Sequence, residues 1–238
     1  SCINNQKGRK LELTKEQIQS FAENGFLHIP KVISIKTLSK ARLAYEAMRE
    51  KCEKGSYPYI RHENIIDLKE FRGIEHIFHE AIVEPDILKA LMESQLLQYS
   101  KQLLNQEEAS IVLNRFHCTK YYGLSGFWHR DGAPNETWHI QSSLHLYNEA
   151  GFYVIPGTHK LDESQDKLLE KFGGTRIPHQ NQKILPVEAG DLLLFDSALF
   201  HRGTCPGQLK FSRAHIHLRI ARDSAIKNIK IYENEGWN

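Results

Sequence analysis

The sequence predicts a single, mainly β domain of the α+β class, with a jelly-roll core over residues 110–238 and a helical buttress over residues 1–109. Three observations predict it. Apolar residues recur at helical spacing through the first hundred positions. Short β-prone runs bounded by Gly, Pro, Asn and Asp take over from residue 110. No repeat, low-complexity stretch or linker divides the 238 residues. By length alone the chain could hold one large or two small domains, and it is long enough to bury a substantial core.

The elements follow in order. Thr14 and Gln17 form a capping-box pattern, Ile18 and Phe21 lie a turn apart, and Gly25 offers a left-handed helix end. "GFLHIP" reads as a short strand stopped by Pro30. Ser34 caps a second helix in which Leu38, Ala41, Tyr45, Met48 and Cys52 recur every three to four residues, closed by Gly55. "SYPYIRHENI", residues 56–65, mixes aromatics and charge without a helical period and reads as a candidate lid. A third helix starts at Pro85 and runs through Leu88, Leu91 and Leu97 toward Leu104. Strands then follow in "SIVLNRFHC", "WHIQSSLHLY", "FYVIPG", "DLLLFDSALF" and "RAHIHLRIA", interrupted by a helical insertion from Asp162 to Phe172 that Gly173 and Gly174 close.

Composition narrows the function. A net charge of +2 without long basic runs gives no case for nucleic acid or an acidic membrane. No apolar run approaches the length needed to span a bilayer. The cysteines (Cys2, Cys52, Cys118 and Cys205) form no C-x-x-C pair, which suits free thiols in a reducing compartment. The polar N-terminus lacks the apolar stretch of a secretory signal, so a cytoplasmic setting is expected.

Chemistry concentrates in "GFWHRDGAP", residues 126–134, where His129 and Asp131 stand two apart beside a turn. With 13 histidines and eight aspartates in 238 residues, about 0.4 such triplets arise by chance, so the triplet needs support elsewhere. His201 supplies it from "GDLLLFDSALFHRG", and Arg213 follows at the head of "RAHIHLRI". Two imidazoles and one carboxylate on a β scaffold can occupy one face of an octahedral metal, as in the facial triad of non-haem Fe(II) oxygenases. An arginine one strand away offers a two-pronged donor to the carboxylate of a co-substrate.

These residues resemble the phytanoyl-CoA dioxygenase family of Fe(II)/2-oxoglutarate-dependent oxygenases. The likeness runs through "LTKEQIQSFAENGFLHIPKVIS", "FWHRDG", "VIPGTHK" and "AGDLLLFDSALFHRG" to Arg213, and so covers most of the chain. It implies a cupin-like double-stranded β-helix with His129, Asp131 and His201 as catalytic iron ligands. Arg213 would pair with the distal carboxylate of 2-oxoglutarate, with Asn114 and Ser142 as further co-substrate contacts. It also implies O₂ as co-substrate and decarboxylation of 2-oxoglutarate to succinate and CO₂. Such enzymes often carry a small hydroxyl residue two positions after the distal histidine; here Gly203 stands there, with Thr204 beside it. An intact Asp131 argues for hydroxylation, although desaturation or ring formation can use the same triad.

Around the site, Arg130 and Arg202 each adjoin a ligand, and Arg115 and Lys120 lie on or near the strand leading to the first. They read either as a lining for a small anionic or zwitterionic substrate or as solvated surface charge. His139, His145, His159, His215 and His217 read as core histidines, Asp191 as part of a Gly-Asp turn and Asp196 as a brace for the His201 loop. Two other classes stay open: a Zn-dependent hydrolase or isomerase on the same His₂Asp set, for which Arg213 has no evident use, and a catalytically inactive jelly-roll binding protein, which predicts a lost ligand.

Overall fold

A computed structural model of the chain describes residues 12–54, 76–78, 84–119, 127–133, 139–161, 167–203 and 213–222. The 56–65 lid expectation lies outside them.

Helix α1 (Lys15–Asn24) starts on the expected capping box: Thr14 Oγ1 accepts from the Gln17 N–H while the Gln17 side chain accepts from the Thr14 N–H. It ends at Gly25, whose φ of 83° needs a residue without a Cβ. Strand β1 (Phe26–Ile29) and helix α2 (Ile35–Glu53) follow, the latter begun by Ser34 Oγ accepting from the Thr37 N–H.

The single helix expected from Pro85 to Leu104 is instead two, α3 (Pro85–Ser94) and α4 (Leu96–Leu104), broken at Gln95, which adopts a φ of 58°. Packing explains the break. An unbroken helix carrying Ile87, Ala90, Leu91 and Ser94 inward would next bury position 97 or 98. The left-handed residue resets the phase, so Leu96, Tyr99 and Leu104 are buried and Leu97 faces out.

The β half comprises β2 (His76–Phe78), β3 (Ala109–Thr119), β4 (His139–His145), β5 (Glu149–Val154), β6 (Lys183–Val187), β7 (Leu192–Asp196), β8 (His201–Arg202) and β9 (Arg213–Arg222), with α5 (Lys167–Phe172) between β5 and β6. A six-stranded sheet in the order β1-β7-β4-β9-β3-β2 faces a three-stranded sheet, β6-β5-β8. Every pairing is antiparallel. This is the expected jelly-roll layering.

Strand β6 was not anticipated. Its "KILPV" contains Pro186 and is largely exposed, as an edge strand tolerates. Both faces of the large sheet are covered. Ile140, Leu144, Ile216, Leu218 and Ile220 pack against the helices, whereas Leu193 and Phe195 pack with Phe152 and Val154 of the small sheet. All seven residues of β4 are consequently buried. Among the described residues no helix is long and apolar enough to cross a membrane.

Candidate metal centre

The metal-ligand candidates meet between the two sheets. His129 lies in an extended segment that forms a β-bridge with His201, each N–H donating to the other's carbonyl at 3.0 Å. The Asp131 N–H donates to Ser197 O at 2.9 Å, tying the first two candidates to the loop that carries the third. Gly132 makes that closeness possible: a Cβ there would sit 2.7 Å from Ser197 Oγ and 3.2 Å from Ser197 Cβ. Asp196 braces the same loop, its Oδ1 accepting from the Ala198 N–H at 2.8 Å.

Alternation along the two segments sorts the side chains. His129, Asp131 and His201 face inward, and their ligand atoms all lie within 4.8 Å of one another. Asp131 Oδ2 is 3.5 Å from His201 Nε2 and 4.0 Å from His129 Nε2. Trp128 and Phe200, each just before a histidine, face away from the ligand atoms and stack with ring centroids 5.4 Å apart, and Trp128 Nε1–H donates to Ile177 O. This buried stack, joined by Ile155, holds both segments from behind.

Each histidine is fixed in one tautomer. Nδ1–H of His129 donates to Phe127 O at 2.7 Å, and Nδ1–H of His201 to Leu199 O at 2.8 Å. With Nδ1 protonated, each Nε2 presents a lone pair toward Asp131, as metal ligation requires. His201 is packed against Phe195 and Phe152. Burial pushes its pKa down to about 3, so the imidazole stays neutral across the physiological range.

Two residues that the sequence reading missed complete the site. Arg219 Nη2 donates to Asp131 Oδ1 at 3.0 Å, and Gln141 Nε2 donates to Oδ2. Gln141 and Arg219 are directly paired between β4 and β9. Burial alone would raise the Asp131 carboxyl, but the Arg219 guanidinium, the foremost opposing charge, holds it well below the usual carboxylate range. The signal was within reach. Arg219 stands an even six positions after Arg213, in phase with His215 and His217, and Gln141 heads the alternating set that includes His145.

Other expectations fare differently. Arg213 is the first residue of β9, paired with Thr119, and Asn114 and Arg115 sit on β3 opposite Leu218 and His217; their side chains lie outside the description, as does Lys120. Ser142 does not reach the site. It follows Gln141 on β4, so it takes the opposite face, where its hydroxyl donates to Leu218 O at 3.0 Å. Arg130 and Arg202 are likewise turned away from the ligands they adjoin. Arg130 lies over the Phe200 ring and donates to Thr158 O. Arg202 lies over Tyr153 at 3.7 Å and Trp128 at 5.2 Å. They brace the aromatic stack and give no support to an anionic substrate.

Asp191 is a structural acceptor, as the turn reading expected. Its carboxylate accepts from the Lys31 N–H at 2.9 Å, the Glu188 N–H at 3.0 Å and His28 Nε2 at 2.7 Å. Burial opposes its ionisation, yet these bonds hold its pKa below the ordinary value. A lowered folded-state pKa contributes stability above the ordinary carboxylate range, and that contribution is lost as the pH falls through the folded value. Asp191→Asn is therefore expected to cost roughly 1–3 kcal/mol at neutral pH. In urea denaturation series, its deficit relative to the wild type should shrink steadily on acidification.

Comparison with known proteins agrees with this architecture. Residues 21–204 match the family described as Phytanoyl-CoA dioxygenase (PhyH). No curated protein matches the chain. AviO1 from Streptomyces viridochromogenes Tue57 superposes with a TM-score of 0.66 at 17% identity, covering 91% of this chain and 98% of that one. HygX from Streptomyces hygroscopicus, solved with nickel and 2-oxoglutarate bound, gives 0.66 at 17% identity over 89% and 88%. EctD from S. alaskensis, solved with 2-oxoglutarate and 5-hydroxyectoine, gives 0.63 at 18% identity over 89% and 77%. At these identities the structural likenesses establish the fold, and the family match over most of the sequence establishes kinship: the chain belongs to the phytanoyl-CoA dioxygenase family.

Proposed function

We propose that this protein is an Fe(II)- and 2-oxoglutarate-dependent oxygenase that hydroxylates a small molecule. The observation that carries the proposal is the convergence of two tautomer-fixed Nε2 atoms and one carboxylate oxygen on a common point. Cis donors about 2.1 Å from one ion are separated by about 3 Å, so the spacings of 3.5 and 4.0 Å need only a small contraction on loading. The donor set of two imidazoles and one carboxylate suits iron with open positions. Family membership, and the 2-oxoglutarate bound in HygX and EctD, support the same co-substrate here.

When bound, iron would supply the site at which O₂, the oxidant, takes two electrons from 2-oxoglutarate, decarboxylated to succinate and CO₂, and two from the substrate C–H bond, one oxygen atom ending in succinate and one in the product. The chain's own residues hold and shield. His129, Asp131 and His201 would hold the metal. Arg219 and Gln141 fix Asp131, while Phe152 and Phe195 keep water from the His201 side. Arg213 is assigned to the distal carboxylate of 2-oxoglutarate. Known proteins of this fold include a carbocyclase and an epimerase as well as EctD, so product analysis is what decides for hydroxylation.

The test is an anaerobic titration with Fe(II) and 2-oxoglutarate, read by the weak visible charge-transfer band of the chelate, followed by a succinate assay under air. Arg213→Ala is expected to weaken 2-oxoglutarate binding by about 2 kcal/mol, roughly 30-fold, because a charged partner is lost from a desolvated pair. Iron binding should be unaffected. Unchanged 2-oxoglutarate affinity would remove Arg213 from its role. Absence of both the band and succinate in the wild type would overturn the function.

A further inference from the structure

His145, Glu149 and His215 form a second cluster of metal-ligating groups, one that the proposed oxygenase chemistry does not use. All three are buried, with relative exposures of 1%, 3% and 4%. One potential ligand atom from each lies within 4.8 Å of the others. Glu149 Oε2 is 3.5 Å from His145 Nδ1 and 3.9 Å from His215 Nδ1, and the two imidazole centroids are 4.8 Å apart. These spacings nearly repeat the 3.5 and 4.0 Å of the primary triad.

They also differ from a direct imidazole–carboxylate hydrogen bond, which in this same protein closes to 2.7 Å between His28 and Asp191. An ion about 2.1 Å from each donor in a tetrahedral arrangement separates the donors by about 3.4 Å. The His145–Glu149 spacing of 3.5 Å matches it, and the His215–Glu149 spacing of 3.9 Å needs only a small contraction.

The fold builds the cluster with care. His145 and His215 are directly paired between β4 and β9. Glu149 comes from the other sheet, and an irregularity in β5 brings it round. Phe152 pairs with Leu185, but Glu149 pairs with Val187, one residue out of register. The extra residue places Glu149 beside the core residue Val187 on the interior side.

We propose that His145, Glu149 and His215 bind a second divalent cation, zinc by its acceptance of a closed tetrahedral site of three such donors and one water, which clamps the start of β5 to the large sheet. Its role is structural. Four positions along β4 and β9 separate Gln141 and Arg219 from His145 and His215, or about 13 Å at 3.3 Å per residue. A dinuclear centre needs about 3.5–4 Å between ions, so the two sites are independent and the second takes no part in the reaction. Being buried, it is filled as the chain folds.

The experiment is to produce the full-length chain in zinc-supplemented medium, wash it with a chelator and measure bound zinc per chain. The wild type retains zinc at the second site. His129→Ala cripples the primary triad without unpairing Arg219, and it should keep one equivalent through the wash. Glu149→Gln should lose that equivalent, both alone and combined with His129→Ala. Cobalt substitution in the His129→Ala chain gives a readout that does not depend on a well-folded Glu149 variant: intense visible bands mark four-coordinate cobalt. If the His129→Ala chain retains no metal and shows no such bands, the proposal is overturned. A zinc content that Glu149→Gln leaves unchanged in a folded protein overturns it equally. Failure of the oxygenase reading looks different: the succinate and charge-transfer assays are silent while the Glu149-dependent equivalent persists.

Discussion

Replacing Asp131 by alanine is expected to reduce 2-oxoglutarate-dependent succinate formation by at least roughly three orders of magnitude, because it removes the only anionic member of the proposed triad. A second consequence separates this residue from an ordinary ligand. Asp131 is the ion-pair partner of Arg219, whose side chain is only 14% exposed. Removing one member of a buried pair leaves the other uncompensated, at a cost of about 3 kcal/mol, the low end of the usual range because both groups keep some solvent access. The metal-free Asp131→Ala protein should therefore unfold at lower urea concentration than the metal-free wild type. Adding Arg219→Met should restore much of that stability, because the stranded charge is removed, while activity stays absent. A single variant as stable as the wild type would show that the pair at 3.0 Å contributes little to the fold. Residual coupled turnover near the wild-type level would remove Asp131 from the metal centre altogether.

How much of this was legible in the sequence depended on which periodicity carried the information. The triad could be found because two of its members share one short turn and the third follows a long apolar strand, a pattern that survives without knowledge of packing. Face assignment was harder. Arg130 and Arg202 adjoin ligands in the chain, but in extended backbone adjacency means opposite faces, and both went to the aromatic stack. Ser142 left the site for the same reason. Alternation should also have pointed to Gln141 and Arg219. Yet β4 is buried on both faces, so polarity could not say which face held the site, and Arg213 offered an equally eligible arginine on the same strand. The break at Gln95 was hidden differently: a left-handed glutamine has no sequence signature, and only the burial of Leu96 and Tyr99 requires it. The Glu149–His145–His215 cluster was read as separate core histidines because its third member arrives through a register irregularity.

The second large effect expected is at Arg219, which would not touch the iron itself yet fixes the proposed carboxylate ligand. With Arg219 on Oδ1 and Gln141 on Oδ2, the Asp131 carboxylate has one orientation, with Oδ2 toward both histidines, so Oδ1 would be withheld from a bound metal. A carboxylate bound through one oxygen leaves open positions for 2-oxoglutarate and O₂, whereas one free to chelate through both would take one of them. Arg219→Met should therefore weaken Fe(II) binding by roughly 10–100-fold, the range typical of groups that orient a ligand. Even at saturating iron, the charge-transfer band of the 2-oxoglutarate complex should be weakened or displaced. Arg219→Lys should restore only part of the affinity, since a point charge cannot reproduce the planar contact to Asp131 with a second N–H toward Gln141 at 3.4 Å. The pH dependence has a definite sign. Burial raises the Asp131 carboxyl, and Arg219 is the foremost charge opposing it, so the carboxyl of the methionine variant holds its proton to higher pH. Metal must displace that proton, and the affinity gap between variant and wild type should widen as the pH falls through the carboxylate range. A gap that is constant with pH would mean that Arg219 orients Asp131 without setting its charge. No gap at all would mean that Gln141 holds the carboxylate unaided.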